Sequence, residues 1–198
     1  PGDIKIWDNG DKKITEADRK ILGSTSPKFI ASMVNSISYK GFDFSIFLYA
    51  SVGAMLNNNI EYLNKPGRAN SIVIDYWTPT NPTNAYPRPS VDNASPAYVK
   101  SLQYEKADFI RVRNITLGYT LPKSMLQKAG ISNLRVYGSI YNVFTITGYS
   151  GIDAEVSTST STKTYPQLGM DWGTYPRARS FVLGVNPVSY THLRAHET

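Results

Sequence analysis

Five segments of this sequence alternate apolar and polar residues with a period of two, and this pattern limits the fold more than any other feature. The segments are residues 28–41, 42–53, 109–122, 134–148 and 179–186. Successive side chains of a strand point to opposite faces, so each segment predicts a strand with one apolar face and one more polar face. The residues predicted to share the outward, apolar face are Phe29, Met33, Phe44, Ile46, Leu48, Leu117, Ile140 and Leu183.

The connections between these segments differ greatly in length. A Lys40-Gly41 turn and residues 122–133 are short, whereas residues 55–107 and 149–175 are long and show no sustained period. Successive connections of antiparallel strands lie at opposite ends of a sheet, so the short ones share one end and the long ones the other. Transmembrane barrels sort their connections in this way. The sequence therefore predicts an all-β fold of antiparallel up-and-down strands from a transmembrane β-barrel, with long extracellular loops.

One end of the third segment departs from the alternation. Arg111 and Arg113 occupy the phase that carries apolar residues from Ile115 onwards. Two explanations remain open at this point. Either a bulge near Asn114 shifts the phase by one residue, or this end of the strand lies outside the apolar band.

Several function classes are excluded or disfavoured by composition. No apolar run reaches the length of about 18 residues that a membrane-spanning helix requires. The chain has no Cys, which excludes disulfides and thiolate metal sites. Its net charge is +6, but the basic residues are scattered rather than clustered, which does not indicate a nucleic-acid partner. No pair of carboxylates with a credible base is evident, so we predict no catalytic residues and no enzyme.

A soluble β-sandwich that acts as a carbohydrate-binding module is the alternative to a membrane barrel. It would use the same loop aromatics for binding. It would also have to cover the apolar phase of its strands with a second sheet, whereas a barrel turns that phase towards lipid.

Residues 8–18, DNGDKKITEAD, crowd carboxylates and an amide around a glycine. An EF-hand-type loop places oxygen ligands at positions 1, 3, 5, 7 and 12. Position 1 here falls on Trp7, which leaves Asp8 out of register, and position 6, where Gly eases the turn, is Lys12. The residues left to hold calcium are Asn9, Asp11, Lys13 and Asp18. The loop is either a structural calcium clip or a solvated acidic turn, and no cofactor is required for function.

Several motifs resemble, in this order along the chain, those of SusC/RagA-type TonB-dependent outer-membrane transporters. They include DNGDKKITEADRKILG at residues 8–23, FIRVRNITLGYTLPKSM at 109–125, LRVYGSIYNVFTITGYSGIDAEV at 134–156 and GMDWGTYPRARSFVLGVN at 169–186. The resemblance covers nearly the whole chain to Asn186. It implies a barrel of about 22 strands with a plug in its lumen. This chain would be a fragment that supplies the last five or so strands, the C-terminal part of that barrel.

The resemblance also implies a function. It indicates import of glycan or peptide oligomers through the outer membrane of a Gram-negative, Bacteroidota-like cell. The partners would be a SusD-like lipoprotein lid, TonB acting through an N-terminal region missing from this sequence, membrane lipid and the substrate, without nucleic acid. Ordinary packing is the commoner role of loop aromatics. The candidate contacts to substrate or lid are Tyr76, Trp77, Tyr86 and Tyr149.

The chain is therefore predicted to divide into three stretches. Residues 1–25 hold the acidic EF-hand-like loop and a short helix, residues 26–186 hold the barrel strands and loops, and residues 187–198 form a tail. The tail, PVSYTHLRAHET, resembles an in-frame translation of a sequencing-library adapter, and we expect it to be non-native. Because Pro187 cannot donate to a strand ladder, the chain is predicted to leave the sheet near Asn186.

Overall fold

Strands make up nearly all of the regular structure in the described part of the chain. A computed structural model describes residues 1–59, 75–88, 99–127, 130–156, 158–162 and 165–188. The strands are β1 (Phe29–Tyr39), β2 (Phe42–Val52), β3 (Met55–Asn58), β4 (Tyr104–Lys106), β5 (Phe109–Thr120), β6 (Asn133–Thr147), β7 (Thr158–Thr162), β8 (Tyr165–Asp171) and β9 (Ser180–Val188). Short helical segments occur at Glu16–Asp18, at Val99–Gln103 and in α1 (Lys123–Leu126). Within the described ranges, no helix has the length and apolar character needed to cross a membrane. The predicted all-β class is confirmed.

The five long strands form one sheet in the order β1-β2-β5-β6-β9. Each strand lies beside the next long strand of the chain, which is an up-and-down arrangement. β6 pairs antiparallel with β9 along the whole of β9. β2 and β5 are joined at both ends, because Thr120 N–H donates to the Gly41 carbonyl and Gly53 N–H donates to Asp108 Oδ1. The sheet is not closed, and its antiparallel up-and-down topology is as predicted.

Both short connections take the predicted form. Lys40 and Gly41, between β1 and β2, have positive φ angles of 46° and 87°. Two successive residues with positive φ form a type I′ hairpin turn, whose twist matches that of the flanking strands. The connection from β5 to β6 contains α1, which follows Pro122 directly. Proline suits the start of a helix because the first N–H groups there have no partner within the helix.

One face of the five-stranded sheet is apolar and open. Leu183 is 89% exposed although it lies in the middle of β9. Of the residues predicted to face outwards, those that are exposed are Phe29, Met33, Phe44, Leu117 and Leu183, and those that are half-buried are Ile46, Leu48 and Ile140. A soluble sandwich would cover this face, so the exposure of these side chains argues against that alternative.

Aromatic residues mark the end of this sheet that carries the short turns. The rings of Phe42 and Tyr119 lie with centroids 4.5 Å apart, and the Lys40 ammonium lies 5.2 Å from the centroid of the Tyr39 ring. Both Tyr39 and Phe42 are exposed. Membrane barrels carry such aromatic girdles where the apolar band meets the headgroup region.

The opposite face of the sheet carries polar side chains that reach across neighbouring strands. Arg135 on β6 donates from Nε to Asp43 Oδ1 on β2 at 2.8 Å and from Nη2 to Oδ2 at 2.5 Å. The pair passes over Gly118 of β5, where a Cβ would lie 2.5 Å from atoms of both partners. The Tyr137 ring lies over Gly184 of β9 in the same way. The two glycines leave room for side chains from the neighbouring strands.

The phase of β5 shifts by one residue along its length. The Arg113 guanidinium lies 3.7 Å from the centroid of the Tyr49 ring, and Arg111 Nε donates to Thr145 Oγ1 at 2.8 Å. The Thr116 hydroxyl bonds to a serine hydroxyl of β6 on the same polar face. The arginines at odd positions and Thr116 at an even position therefore share one face. This is the effect of a bulge near residue 114, the first of the two explanations.

A second sheet, in the order β4-β3-β8-β7, lies within the stretches predicted to lack regular structure. β3 pairs antiparallel with β4 and parallel with β8, and β7 pairs antiparallel with β8. The sequence prediction is wrong for these stretches, including the Thr-rich run that forms β7. The strands are too short for alternation to be visible, and their partners are distant in sequence. Threonine is β-branched and favours extended backbone.

The chain forms two compact units that interleave along the sequence. Unit 1 comprises Pro1–Phe29, Ser51–Phe109 and Thr147–Pro176, and unit 2 comprises Ile30–Ala50, Ile110–Ile146 and Arg177–Thr198. Both long connections belong to unit 1 and both short connections to unit 2, so the connections are sorted by length as predicted. The division of the sequence into residues 1–25, 26–186 and 187–198 stays a prediction.

β9 extends further than the sequence suggested. Pro187 pairs with Leu134 and Val188 with Asn133, so the prediction that the chain leaves the sheet near Asn186 is wrong by two residues. The Leu134 carbonyl accepts from the N–H of Leu121, the residue after β5, so the Leu134–Pro187 pair is not hydrogen-bonded across β6 and β9. The nitrogen of Pro187 therefore points away from β6, and no ladder bond is lost. Residues 189–198, with both histidines, lie outside the described residues.

Candidate functional site

The acidic loop is closed by backbone N–H groups that donate to its own side chains. Thr15 N–H donates to Asp18 Oδ2 at 2.6 Å and Asn9 N–H donates to Oδ1 at 2.9 Å. These two donors hold the pKa of the Asp18 carboxyl below its usual range. Asp11 N–H donates to Asn9 Oδ1, and Lys13 N–H donates to Asp11 Oδ1. The short helix predicted after the loop is a single 3-10 turn, Glu16–Asp18, capped by Thr15.

Three carboxylates converge in this loop. The ligand atoms of Asp8, Asp11 and Asp18 all lie within 4.8 Å of one another. Of the four residues predicted to hold calcium, Asp11 and Asp18 are in this group, whereas the Asn9 oxygen accepts a backbone hydrogen bond. Asp8 was missed, because counting along an EF-hand pattern left it out of register.

The loop bends where the pattern departs from an EF-hand. Gly10 has a φ of 109°, and Asp8 Oδ1 accepts from its N–H at 2.8 Å. Lys12, which stands where such loops place glycine, has a left-handed φ of 61°. A residue with a Cβ is strained there by about 1–2 kcal/mol. The loop therefore keeps an EF-hand-like backbone at residue 12, but Lys12 is strained there and a glycine would not be.

Three of the four predicted aromatic contacts lie together in unit 1. Tyr76 and Tyr86 form a β-bridge, and Trp77 N–H donates to the Tyr86 carbonyl at 3.0 Å. The Trp77 ring packs on Gly2, where a Cβ would lie 2.5 Å from it. Trp77 and Tyr86 line a cavity of about 340 Å³ that also contains Asp3. A cavity with aromatic walls and polar groups suits a small polar ligand or a side chain of a partner.

Hydrogen bonds within the loop hold these aromatics in place. Asp75 accepts from the Thr83 hydroxyl at 2.6 Å and from the Asn81 amide at 2.8 Å. The Thr83 and Asn81 donors, in that order, lower the pKa of Asp75. Arg88 donates from Nε to Asp3 Oδ1 at 3.1 Å and joins the loop to the first residues of the chain.

Tyr149, the fourth predicted aromatic contact, lies apart from this cluster. Its side chain is 6% exposed, and its hydroxyl donates to Asp171 Oδ2 at 2.8 Å. In this arrangement the ring has no open face for a ligand. Buried Asp171 and Asn58 form a polar cluster with half-buried Glu105, and the sequence pattern did not predict this cluster. The partners of these residues are set by the pairing of β3 with β4 and β8, which the sequence pattern did not reveal.

Known proteins that match this chain are TonB-dependent receptors. No protein-family model matches. TonB-dependent receptor P3 of Formosa agariphila is 35% identical over 182 residues, which cover 90% of this chain and 18% of that receptor. TonB-dependent receptor SusC of Bacteroides thetaiotaomicron is 31% identical over 187 residues, which cover 90% of this chain and 17% of SusC. This chain thus spans less than a fifth of the length of these relatives.

The fold matches as well. The RagAB peptide importer in its open-open state superposes with a TM-score of 0.71 at 24% identity, over 92% of this chain and 20% of that chain. The resemblance to the SusC/RagA-type TonB-dependent transporters is confirmed. The five-stranded sheet accordingly has the fold of part of a transmembrane β-barrel. The matched relatives are receptors for transport and not enzymes.

Proposed function

We propose that the whole protein imports oligomeric nutrients, peptide or glycan, across the outer membrane of a Bacteroidota-like cell. A SusD-like lipoprotein would close the extracellular side, and TonB would act through a region outside this chain. One observation carries the proposal: a sheet with an open apolar face and an ion-paired polar face, in a chain 35% identical to a TonB-dependent receptor. RagAB, which shares the fold, is described as a peptide importer, and this supports peptide as the first substrate class to test.

An uptake experiment tests this function. The full-length gene would be deleted in its host, and depletion of a casein-derived peptide mixture and of a mixed glycan digest would be followed in the medium. We expect depletion of one mixture to fall in the deletion strain and to return with the intact gene, but not with a gene lacking its TonB-contacting segment. Equal depletion of both mixtures in all strains would contradict the proposal. Co-purification of the full-length protein with an outer-membrane lipoprotein tests the partner.

We propose that Tyr76, Trp77 and Tyr86 contact the substrate or the lipoprotein lid. This proposal is supported by a cavity of about 340 Å³, which is lined by Trp77, Tyr86 and the first residues of the chain. Trp77→Ala in the full-length protein should reduce uptake or lipoprotein retention, and Tyr175→Ala is the matched control because Tyr175 is an exposed aromatic of the same unit. Equal effects of the two changes would count against a specific contact. Tyr149 would act only indirectly, by bonding to Asp171.

We propose that the acidic loop holds a structural calcium ion. The convergence of three carboxylates and the oxygen-only donor set fit this ion. The carboxylates of Asp8, Asp11 and Asp18 would supply the charge, and the Asn9 oxygen and the Lys13 carbonyl are the remaining predicted ligands. Calcium should protect the loop from proteolysis in the full-length protein, and Asp11→Asn should abolish that protection. Glu16→Gln, which alters an exposed carboxylate of the same segment, should not.

A further inference from the structure

A buried, oxygen-rich cluster lies on one face of the four-stranded sheet in unit 1. Asn58 on β3 pairs directly with Asp171 on β8, so the two side chains stand side by side on the same face. Asn58 Nδ2 also donates to Glu105 Oε1 on β4 at 3.1 Å, which places Glu105 on that face. Asn58 is 1% exposed and Asp171 is 0% exposed. One buried amide therefore stands between the fully buried carboxylate of Asp171 and the half-buried carboxylate of Glu105.

The two carboxylates receive hydrogen bonds only from neutral donors. Glu105 accepts from Asn58 Nδ2 at 3.1 Å, from Ser150 N–H at 3.0 Å and from the Ser150 hydroxyl at 2.7 Å. Asp171 accepts from the Tyr149 hydroxyl at 2.8 Å and from a backbone N–H at 2.9 Å. Among the described residues, no Lys or Arg forms an ion pair with either. Burial of carboxylates without a positive partner is unfavourable.

The amide between them is only half satisfied. Asn58 Oδ1 is buried and has no hydrogen-bond partner. Exchanging the amide nitrogen and oxygen would not help, because the carbonyl would then face the oxygens of Glu105. A buried, unpaired carbonyl destabilises the folded state. Asn58 Oδ1 is thus an orphan oxygen on a residue paired with a fully buried carboxylate, an arrangement that a positive group would satisfy.

We propose that a hard metal cation, Ca²⁺ or Na⁺, binds between Asn58 Oδ1 and the Asp171 carboxylate. All nearby acceptor groups are oxygens, the ligands that such cations prefer. The cation would stabilise the pairing of β3 with β8, which joins the two long connections of the chain. This site is separate from the acidic loop at residues 8–18 and does not depend on the proposed transport function.

The opposite side of the same segment shows a different pattern. Two buried atoms of the flanking residues lack partners, the acceptor Asn57 Oδ1 and the donor Asn59 Nδ2. Water can satisfy a mixed set of this kind, whereas a cation would be repelled by the donor. Asn57 therefore provides a control position next to the proposed site.

The test uses the full-length protein in detergent with Asp11→Asn, which disables the acidic loop. Hydrogen exchange of β3 and β8 would be measured in calcium chloride, sodium chloride or choline chloride at equal ionic strength. We expect slower exchange in calcium or sodium than in choline. A response to calcium alone identifies Ca²⁺, and a response to sodium identifies Na⁺. Equal exchange in all three salts would overturn the proposal and leave an ordered water as the occupant.

Variants at the site complete the test. Asn58→Ala should raise the cation concentration needed for half-maximal protection by about tenfold or more, whereas Asn57→Ala should leave it unchanged. Asn58→Asp keeps the shape of the side chain and adds a charged oxygen, so it should lower that concentration. If Asn58→Ala fails to fold, Asn58→Asp decides alone. Unchanged or weaker cation binding by Asn58→Asp would contradict the site.

Discussion

Gly118 supports an ion pair to which it contributes no atom. The Asp43–Arg135 pair passes over it, and a Cβ at this position would lie 2.5 Å from Arg135 Nη2 and from Asp43 Oδ1. We predict that Gly118→Ala in the full-length barrel displaces this pair and lowers the free energy of unfolding by about 1–3 kcal/mol. Urea unfolding followed by heat-modifiable gel migration measures the change.

Two further variants separate the lost ion pair from a general effect of alanine in a strand. Gly138→Ala on β6 is the control, because the nearest atom, Leu183 Cδ2, would lie 3.4 Å from the new Cβ, an ordinary contact. It should change stability little. In a protein that already carries Arg135→Ala, the further change Gly118→Ala should lower the free energy of unfolding by less than it does in the parent protein. The Arg135 guanidinium, which the new Cβ would otherwise meet, is then absent. Full additivity would show that the crossing pair is not the cause.

Protonation of Asp18 should open the acidic loop. Its pKa is lowered in the folded state by the N–H groups of Thr15 and Asn9. A lowered pKa stabilises the loop at pH values above the unfolded pKa of about 3.9, and this contribution is lost as the pH falls through the lower, folded value. Calcium-free hydrogen exchange, corrected for intrinsic rates, should show Asn9 and Thr15 losing protection below about pH 4 while β6 keeps it.

Asp18→Asn is the matching variant for this pH dependence. It should show weak protection of both amides at neutral pH and little further change on acidification. Glu16→Gln should behave like the parent protein, because the Glu16 carboxylate is exposed and its ion pair is with exposed Arg19. Protection of Thr15 that is the same at pH 6 and at about pH 3 in the parent would contradict this role of Asp18.

Residue-level chemistry was only partly accessible from the sequence. Asp11 and Asp18 were found because an EF-hand pattern relies on local spacing. Asp8 was missed because the loop closes with one residue fewer than the pattern, and the backbone at Gly10 makes up the difference. The role of Asn58 depends on strand pairs far apart in sequence, and no local pattern reports it.

At the scale of elements, β2 gives the sharpest test of the two faces. Ile46 lies near the middle of this strand, on the apolar phase, and Ser45 lies on the polar phase. We predict that Ile46→Arg in the full-length barrel costs about 2–4 kcal/mol, because it places a charge near the centre of the bilayer. Unfolding in lipid vesicles measures the loss.

Ser45→Arg is the matched control, since it introduces the same side chain at the neighbouring position on the other face. Ser45→Arg should lower the free energy of unfolding much less than Ile46→Arg, because side chains on the polar face of a barrel do not contact lipid. Similar costs at both positions, or a larger cost at Ser45, would reverse the assignment of the faces. Cysteine at the same two positions, labelled with a water-soluble maleimide, gives a second readout, because these 198 residues have no Cys of their own.

The long strands were predictable and the short ones were not. β1, β2, β5, β6 and β9 each span nine or more residues, enough for a period of two to be visible. β3, β4, β7 and β8 are three to seven residues long and are stabilised by pairing across the long connections. Some of their residues, such as Asn57 and Asn58, favour turns by local propensity. Tertiary pairing overrides that preference, which is why these stretches were expected to be irregular.

At the scale of the whole molecule, the interleaving of the units follows from the up-and-down order. The chain alternates between the strands of unit 2 and the long connections of unit 1, so neither unit is a continuous stretch of sequence. A cut within either long connection would divide both sheets between two pieces. Each unit should therefore need segments from several parts of the chain, and truncation of the chain should not yield either unit alone.

The isolated chain should not form a stable soluble monomer. Among the described strands, its five-stranded sheet ends in β1 on one side and β9 on the other, so both edges present unpaired backbone groups. The apolar outer face, with Leu183 89% exposed, adds a surface that water does not tolerate. We predict that the 198-residue chain aggregates on refolding without detergent, whereas the full-length barrel refolds in detergent micelles. Size-exclusion chromatography with light scattering and a thermal melt measure this, and a monomer with a sharp, reversible transition would show that the sheet satisfies its edges and apolar face within this chain alone.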